Sequence, residues 1–242
     1  MVIKMKTALI TGGSRGIGAA IVRALSEKGW RVAFCYRSSD AAAQQLSAET
    51  GAIPIRCDVT DSAQVREMVR TALRQLSHID LLVNNAGVAW QGLLTDMTDD
   101  DWRTVLDTSL TAAFFTCRAV IPGMVSRRMG RIINISSIWG RVGASCEAAY
   151  SAAKAGLIGL TKALAKELGP SGITVNCLCP GVIQTDMLAC YTAEDLAALA
   201  DETPLCRLGT PEDVAAAVCW LANDAAGFIT GQVIGGDGGF GQ

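Results

Sequence analysis

The sequence predicts a doubly wound α/β fold, in which a seven-stranded parallel sheet carries helices on both faces. Three observations predict it. Short β-rich runs alternate with helical stretches along the whole chain. The runs are continuously apolar rather than alternating, as strands covered on both faces require. Each stretch between them is long enough for a right-handed crossover. No low-complexity linker, shift in composition or internal repeat divides the 242 residues. One domain over 1–242 is therefore expected, of a size that buries roughly 70 to 75% of the extended chain's surface.

The elements follow in order. TALIT (7–11) predicts the first strand, and TGGSRGIG (11–18) turns it into a helix over 16–28. RVAFCY (31–36) and IPIRCD (53–58) predict the next two strands, joined by a helix over 41–50 that Ser38, Ser39 and Asp40 are expected to cap. A helix over 62–76 leads to DLLVN (80–84), and a long one over 99–128 leads to RIINIS (131–136). A helix over 150–168 precedes TVNCLC (174–179), and one over 211–222 precedes QVIGG (232–236). The long interruption at 184–210 has a short helical pattern of its own and reads as a lid.

Composition limits the function classes. The formal charge is -2 with no basic run, so the footprint of a nucleic-acid binder is missing and a small ligand is expected. The start is too short in apolar residues for a signal segment, and no run of 18 apolar residues follows, which predicts a cytosolic protein without a membrane partner. Nine cysteines (35, 57, 117, 146, 177, 179, 190, 206, 219) lack any CxxC pair and read as reduced, buried thiols. Hydrophobic residues make up 50% of the chain, more than one monomer readily hides, which favours a homo-oligomer.

In such a sheet, ligands bind beyond the carboxyl ends of the strands where strand order reverses. The first strand end carries Gly12, Ser14, Arg15, Gly16, Ile17 and Gly18, a glycine turn that lets backbone N–H groups approach a pyrophosphate at a helix N-terminus. Alone, such a turn is more often only a turn. The second strand ends in Tyr36 and Arg37, where an NAD-selecting fold usually has an acid. An arginine there grips a 2'-phosphate, and Arg15 is expected to reach the same spot, so NADP is the predicted cofactor. Asp58 and Val59 end the third strand, the Asp58 carboxylate being suited to accept from an adenine amino group. Asn85, Ala86 and Gly87 in NNAG end the fourth, where amides brace the neighbouring strand and the glycine clears room.

For chemistry, His78 is the only histidine, and it precedes the fourth strand at the opposite end of the sheet. No metal-ligand spacing appears. YSAAK sets Tyr150 and Lys154 on one helix face at i and i+4, where the ammonium favours the phenolate. Ser137 follows the fifth strand, and its hydroxyl suits a substrate carbonyl. An isolated YxxxK is more often a packed tyrosine beside a snorkelling lysine.

TGGSRGIG, CDV, NNAG, Ser137, YSAAK, PGVIQT (180–185) and GQVIGGDGG (231–239) together resemble the short-chain dehydrogenase/reductase family, and the resemblance covers practically the whole chain. It implies that Tyr150 is the general acid for carbonyl reduction, that Lys154 lowers its pKa and binds the nicotinamide ribose, and that Ser137 orients the carbonyl. It also implies that Asn85 and the stretch from Ile183 to Thr185 line the nicotinamide, and that Pro180, Gly181, Tyr150 and Lys154 bind the cofactor. Ser109 departs from the pattern. The family usually has an asparagine there that holds a water in a proton relay.

VAWQGLL (88–94), SIWGRVGASCEAA (137–149) and the lid are expected to wall a substrate cleft, with Trp90, Trp139, Met187, Leu188 and Tyr191 making it apolar. The tail and PGVIQTDM are most similar to 3-oxoacyl-acyl-carrier-protein reductases, which implies a 3-oxoacyl thioester substrate, carried on acyl carrier protein or CoA. Arg127, Arg128, Arg131 and Arg141 are candidates for a basic rim toward an acidic carrier, although Ser171 stands where another basic residue is expected. The alternatives are an NADP-dependent reductase of free alcohols, sugars or sterols, and a non-catalytic NADP-binding regulator. The apolar centre of 99–128 and the small residues after Tyr150 predict the main subunit interface of a homotetramer.

Overall fold

The computed structural model describes residues 6–189 and 191–241. Seven strands form one parallel sheet: β1 (Thr7–Ile10), β2 (Arg31–Tyr36), β3 (Ile53–Arg56), β4 (Leu81–Asn84), β5 (Gly130–Ile135), β6 (Ile173–Pro180) and β7 (Val233–Gly236). Their order is β3-β2-β1-β4-β5-β6-β7. Leu9 of β1 pairs with Ala33 of β2 on one side and Leu82 of β4 on the other. The order therefore reverses between β1 and β4, and a crevice opens beyond their carboxyl ends.

The strands are apolar throughout because both of their faces are covered. Alternate residues enter two cores. Ala8, Ile10, Val32 and Phe34 pack under helices α1 (Gly16–Glu27), α2 (Asp40–Thr50) and α9 (Pro211–Ala222), whose Ile21, Leu46 and Val218 are buried there. Leu9, Ala33 and Leu82 pack on the other face under α3 (Ser62–Leu76), α5 (Ala112–Arg127) and α7 (Ala148–Leu168), through Met68, Val120 and Leu168.

The long helix expected over 99–128 is divided. It comprises α4 (Asp99–Leu106), a wide π turn over Asp107–Thr111, and α5. The widened turn brings Thr108 and Ser109 toward the crevice, a local departure of the kind π bulges produce at sites. Over Asp99–Arg127 this helical run is long and apolar enough to cross a membrane by length and composition. Its Ala112, Cys117 and Met124 are instead part of the core against α3 and the sheet. A short helix, α6 (Trp139–Val142), also stands where the sequence predicts only a loop.

Side-chain caps separate two groups of helix. Asp61 caps α3, while Thr98, Thr192 and Thr210 form capping boxes on α4, α8 (Ala193–Asp201) and α9. The N-termini of α1, α2 and α7 have no side-chain cap, and all three border the crevice. Asp40 is not the cap expected of it. It is the first residue of α2, and its carboxylate lies beside the Tyr36 hydroxyl, whose pKa burial and that contact raise.

All eight described cysteines are free, and five of them are buried. Cys206 is exposed, contrary to expectation, and Cys190 lies outside the described residues.

Candidate active site

A cavity of about 500 Å³ lies beyond the carboxyl ends of the central strands. Every residue singled out in the sequence for cofactor or catalysis lines it, from Arg37 and Asp58 at one end to Ser137 and Tyr150 at the other.

The turn after β1 depends on absent side chains. Gly12 has φ +64°, and a Cβ there would come within 3.0 Å of Ala86 Cα. A Cβ on Gly18 would collide with the Gly12 carbonyl oxygen. Asn85 fixes this turn, since its Nδ2 donates to the carbonyls of Thr11 at 3.0 Å and Gly12 at 3.1 Å. Thr11 Oγ1 in turn accepts from the backbone N–H groups of Asn85 and Ala86, each at 3.0 Å. The amide of the NNAG motif thus braces the neighbouring strand end, as its residue type suggests.

Arg37 is exposed at the rim, beside Ser38 and Ser39. Arg15, expected to join it, lies 3.7 Å from Asp186 in the segment after β6. That pair is long and exposed and contributes little. Asp58 Oδ1 accepts from Thr60 N at 3.0 Å and Thr60 Oγ1 at 2.7 Å, so the carboxylate also shapes its own turn.

At the other end, α7 delivers Tyr150 and Lys154. Lys154 is buried, and its Nζ donates to the Ile135 carbonyl at 2.8 Å while standing 5.5 Å from the centroid of the Tyr150 ring. Burial pushes the lysine down to about 8. The Tyr150 phenol goes the other way. Burial pushes it up to about 12, opposed by a hydrogen bond with Ser137 and reinforced by the charge of Glu147. Burial is the main cause that sets this phenol in the chain alone, and Lys154 is not among the causes. Ser137 Oγ also accepts from Trp139 N at 3.2 Å, which ties it to the start of α6. A Cβ on Gly87 would stand 3.3 Å from both Lys154 Nζ and Ser109 Oγ, so the glycine clears room for the lysine. Ser109 is buried, with its hydroxyl 3.4 Å from both Val88 N and Val88 O.

Other predicted residues lie elsewhere. Trp90 does not line the cavity; it folds over Gly92 and packs with Val105 and Ala149 behind Tyr150. Trp139, Met187, Leu188 and Tyr191 do line it. The expected basic rim is absent from this chain's own cleft. Arg127 binds the Ile79 carbonyl, Arg128 the Pro170 carbonyl and Arg131 the Asp224 carboxylate, all at the amino end of the sheet, because α5 ends where β5 begins. Arg141 is near the cleft but is paired with Asp237 at 3.3 Å. His78 sits 3.0 Å from Asp80 at that amino end, as expected. Two polar residues of the cavity carry no motif, Thr108 and Glu147. Their only signal in the sequence is adjacency to Ser109 and a three-residue offset from Tyr150.

Comparison with known proteins gives the arrangement a lineage. A family profile described as enoyl-(acyl carrier protein) reductase matches residues 12–241. The acetoacetyl-CoA reductase of Shinella zoogloeoides is 46% identical over 235 residues, covering 97% of this chain and 98% of that protein. The 3-oxoacyl-[acyl-carrier-protein] reductase of Synechocystis sp. is 44% identical over 240 residues, covering 97% and 96%. The corresponding reductase of Salmonella typhimurium is 40% identical over 236 residues, with the same coverage. The chain belongs to the short-chain dehydrogenase/reductase family.

Like other short-chain dehydrogenases/reductases, it is an oxidoreductase acting on carbonyl or CH–OH groups, and the family's cofactor is a nicotinamide dinucleotide. The crevice fits such a group. The glycine turn leaves the space that a Cβ at residue 12 or 18 would fill, and the first-turn amides of α1 are left without a side-chain partner, as an anion requires. Gly12 to Gly18, Asn85 to Gly87 and Pro180 to Thr185 would hold the dinucleotide. That cofactor supplies hydride when bound.

Proposed function

We propose that the protein uses NADPH to reduce the 3-oxo carbonyl of an acyl thioester to the 3-hydroxyacyl thioester. The observation that carries this reading is the convergence of Ser137, Tyr150 and Lys154 in one cavity whose far end carries Arg37. Relatives at 46% and 44% identity are named for acetoacetyl-CoA and 3-oxoacyl-[acyl-carrier-protein] reduction, both acting on 3-oxoacyl thioesters.

In this reading Ser137 and Tyr150 donate hydrogen bonds to the substrate carbonyl oxygen, and Tyr150 passes its proton to that oxygen. The phenol is protonated throughout the physiological range, which the reductive direction requires. Lys154, held by Ile135, keeps a positive charge one helical turn behind the proton donor below about pH 8. Trp139, Leu188 and Tyr191 exclude water from the acyl side. Arg37 supports NADPH over NADH, since a guanidinium at the end of β2 pairs with a 2'-phosphate where a carboxylate would repel it.

The protein is read further as one domain acting in the cytosol, assembled as a homotetramer through the outer faces of α4, α5 and α7. Trp102, Phe114 and Val125 are exposed on α4 and α5, and a Cβ at Gly159 would meet open space. The thioester carrier is CoA or an acyl carrier protein, and the paired arginines lend no support to a docking rim on this chain's own cleft.

The test is steady-state kinetics with NADPH and NADH against acetoacetyl thioesters, free sugars and steroid ketones. The reading expects turnover of the thioesters with NADPH preferred. Turnover confined to sugars or steroid ketones contradicts the substrate, and an NADH preference contradicts the cofactor.

A further inference from the structure

The N-cap position of α7 carries a carboxyl group that the reaction above leaves unused. Glu147 precedes Tyr150 by three residues and Lys154 by seven, and all three line the cavity. Glu147 holds the N-cap position of α7, yet its side chain makes no capping bond, and its carboxyl has no hydrogen-bond or ion-pair partner among the described residues. The backbone locates it at the acyl end. Cys146 O, one residue earlier, accepts from Gly92 N at 2.9 Å, and Gln91 Nε2 donates to the Tyr191 hydroxyl at 3.3 Å across the mouth.

No cation is paired with its carboxyl among the described residues. Tyr150 keeps its proton, Lys154 Nζ donates to the Ile135 carbonyl, and Arg141 is paired with Asp237. Burial raises the pKa of Glu147 itself, and its charge raises that of Tyr150.

We propose that Glu147 is a specificity-determining residue whose carboxylate excludes carbonyl compounds bearing a free carboxylate, so that the enzyme takes the neutral thioester or ester and rejects the corresponding 3-oxo acid. The inference rests on the proposed 3-oxoacyl reduction. A free 3-oxo acid and its ester present the same reacting carbonyl and differ in one negative charge two carbons away. A partly buried carboxylate at the cavity wall, three residues before the proton donor, repels that charge.

The experiment compares kcat/KM for ethyl acetoacetate and acetoacetate with NADPH, from pH 6 to 9, in wild type, Glu147→Gln and Glu147→Asp. Wild type is expected to prefer the ester strongly. Glu147→Gln lowers the ester-to-acid ratio by about tenfold or more. Glu147→Asp, which keeps the charge, restores most of the ratio. An unchanged ratio in Glu147→Gln, with wild type active on the ester, overturns the role of Glu147 alone. Wild type inert toward both the ester and acetoacetyl thioesters overturns the reduction reading and this inference with it.

Discussion

Tyr150 and Lys154 stand 5.5 Å apart, ammonium to ring centroid, and burial drives their proton equilibria in opposite directions. The YSAAK spacing makes their shared helix face legible in the sequence. It does not reveal that Lys154 points at the Ile135 carbonyl, because i+4 periodicity fixes a face and not an acceptor on a neighbouring strand. The lysine's position has a stability cost. Its pKa of about 8 in the fold lies below the free value, so at pH 7 the folded state carries a protonated group it disfavours, at about 3 kcal/mol. Above pH 8 the folded state sheds that proton while the unfolded chain keeps it up to about pH 10.4, so stability rises with pH across this window. Lys154→Met, which loses about 1 kcal/mol of hydrogen bonding to Ile135, is expected to be more stable than wild type at pH 7 by about 2 kcal/mol. Urea unfolding should find that advantage shrinking toward pH 10, and a constant advantage would contradict the burial cost. At the other end of the cavity, Arg37→Ala is expected to cut the preference for NADPH over NADH by about ten- to hundredfold in kcat/KM. An unchanged ratio would remove the basis for NADP.

At the scale of elements, α7 is fixed against the sheet by a buried polar string. Asn84 Nδ2 donates to Asn134 Oδ1 at 2.8 Å, Asn134 Nδ2 to Thr161 Oγ1 at 2.8 Å, and Thr161 Oγ1 to the Leu157 carbonyl at 2.8 Å. The string joins β4, β5 and α7, so it sets the helix that carries the site. Asn134→Ala strands two of these partners and is expected to cost about 1–3 kcal/mol in chemical unfolding, with kcat falling more than NADPH affinity. The strands themselves are legible because a doubly covered sheet demands continuous apolar runs, and each lies within a residue or two of its expected span. The π turn at Asp107–Thr111 and the short α6 are not legible, since packing around Ser109, Gly87 and Lys154 shapes them more than local periodicity does. The basic rim fails for the same kind of reason. Arginines close in sequence to β5 are carried to its amino end, and which end a loop occupies depends on strand direction.

For the whole molecule, the strand order and the reversal between β1 and β4 follow from crossover rules that the sequence pattern already invokes. They bring residues from Gly12 to Thr185 around one cavity. Trp102 on α4 and Phe114 and Val125 on α5 remain exposed. Light scattering at micromolar concentration is expected to give a mass of four chains, and a monodisperse monomer would refute that assembly.

Carbonyl reduction depends most on Tyr150 as the group that protonates the substrate oxygen. Reduction of acetoacetyl-CoA by NADPH should fall by about 10²- to 10⁴-fold in Tyr150→Phe, while the NADPH dissociation constant from fluorescence titration stays within a few-fold of wild type. A Tyr150→Phe enzyme that turns over at the wild-type rate would contradict it.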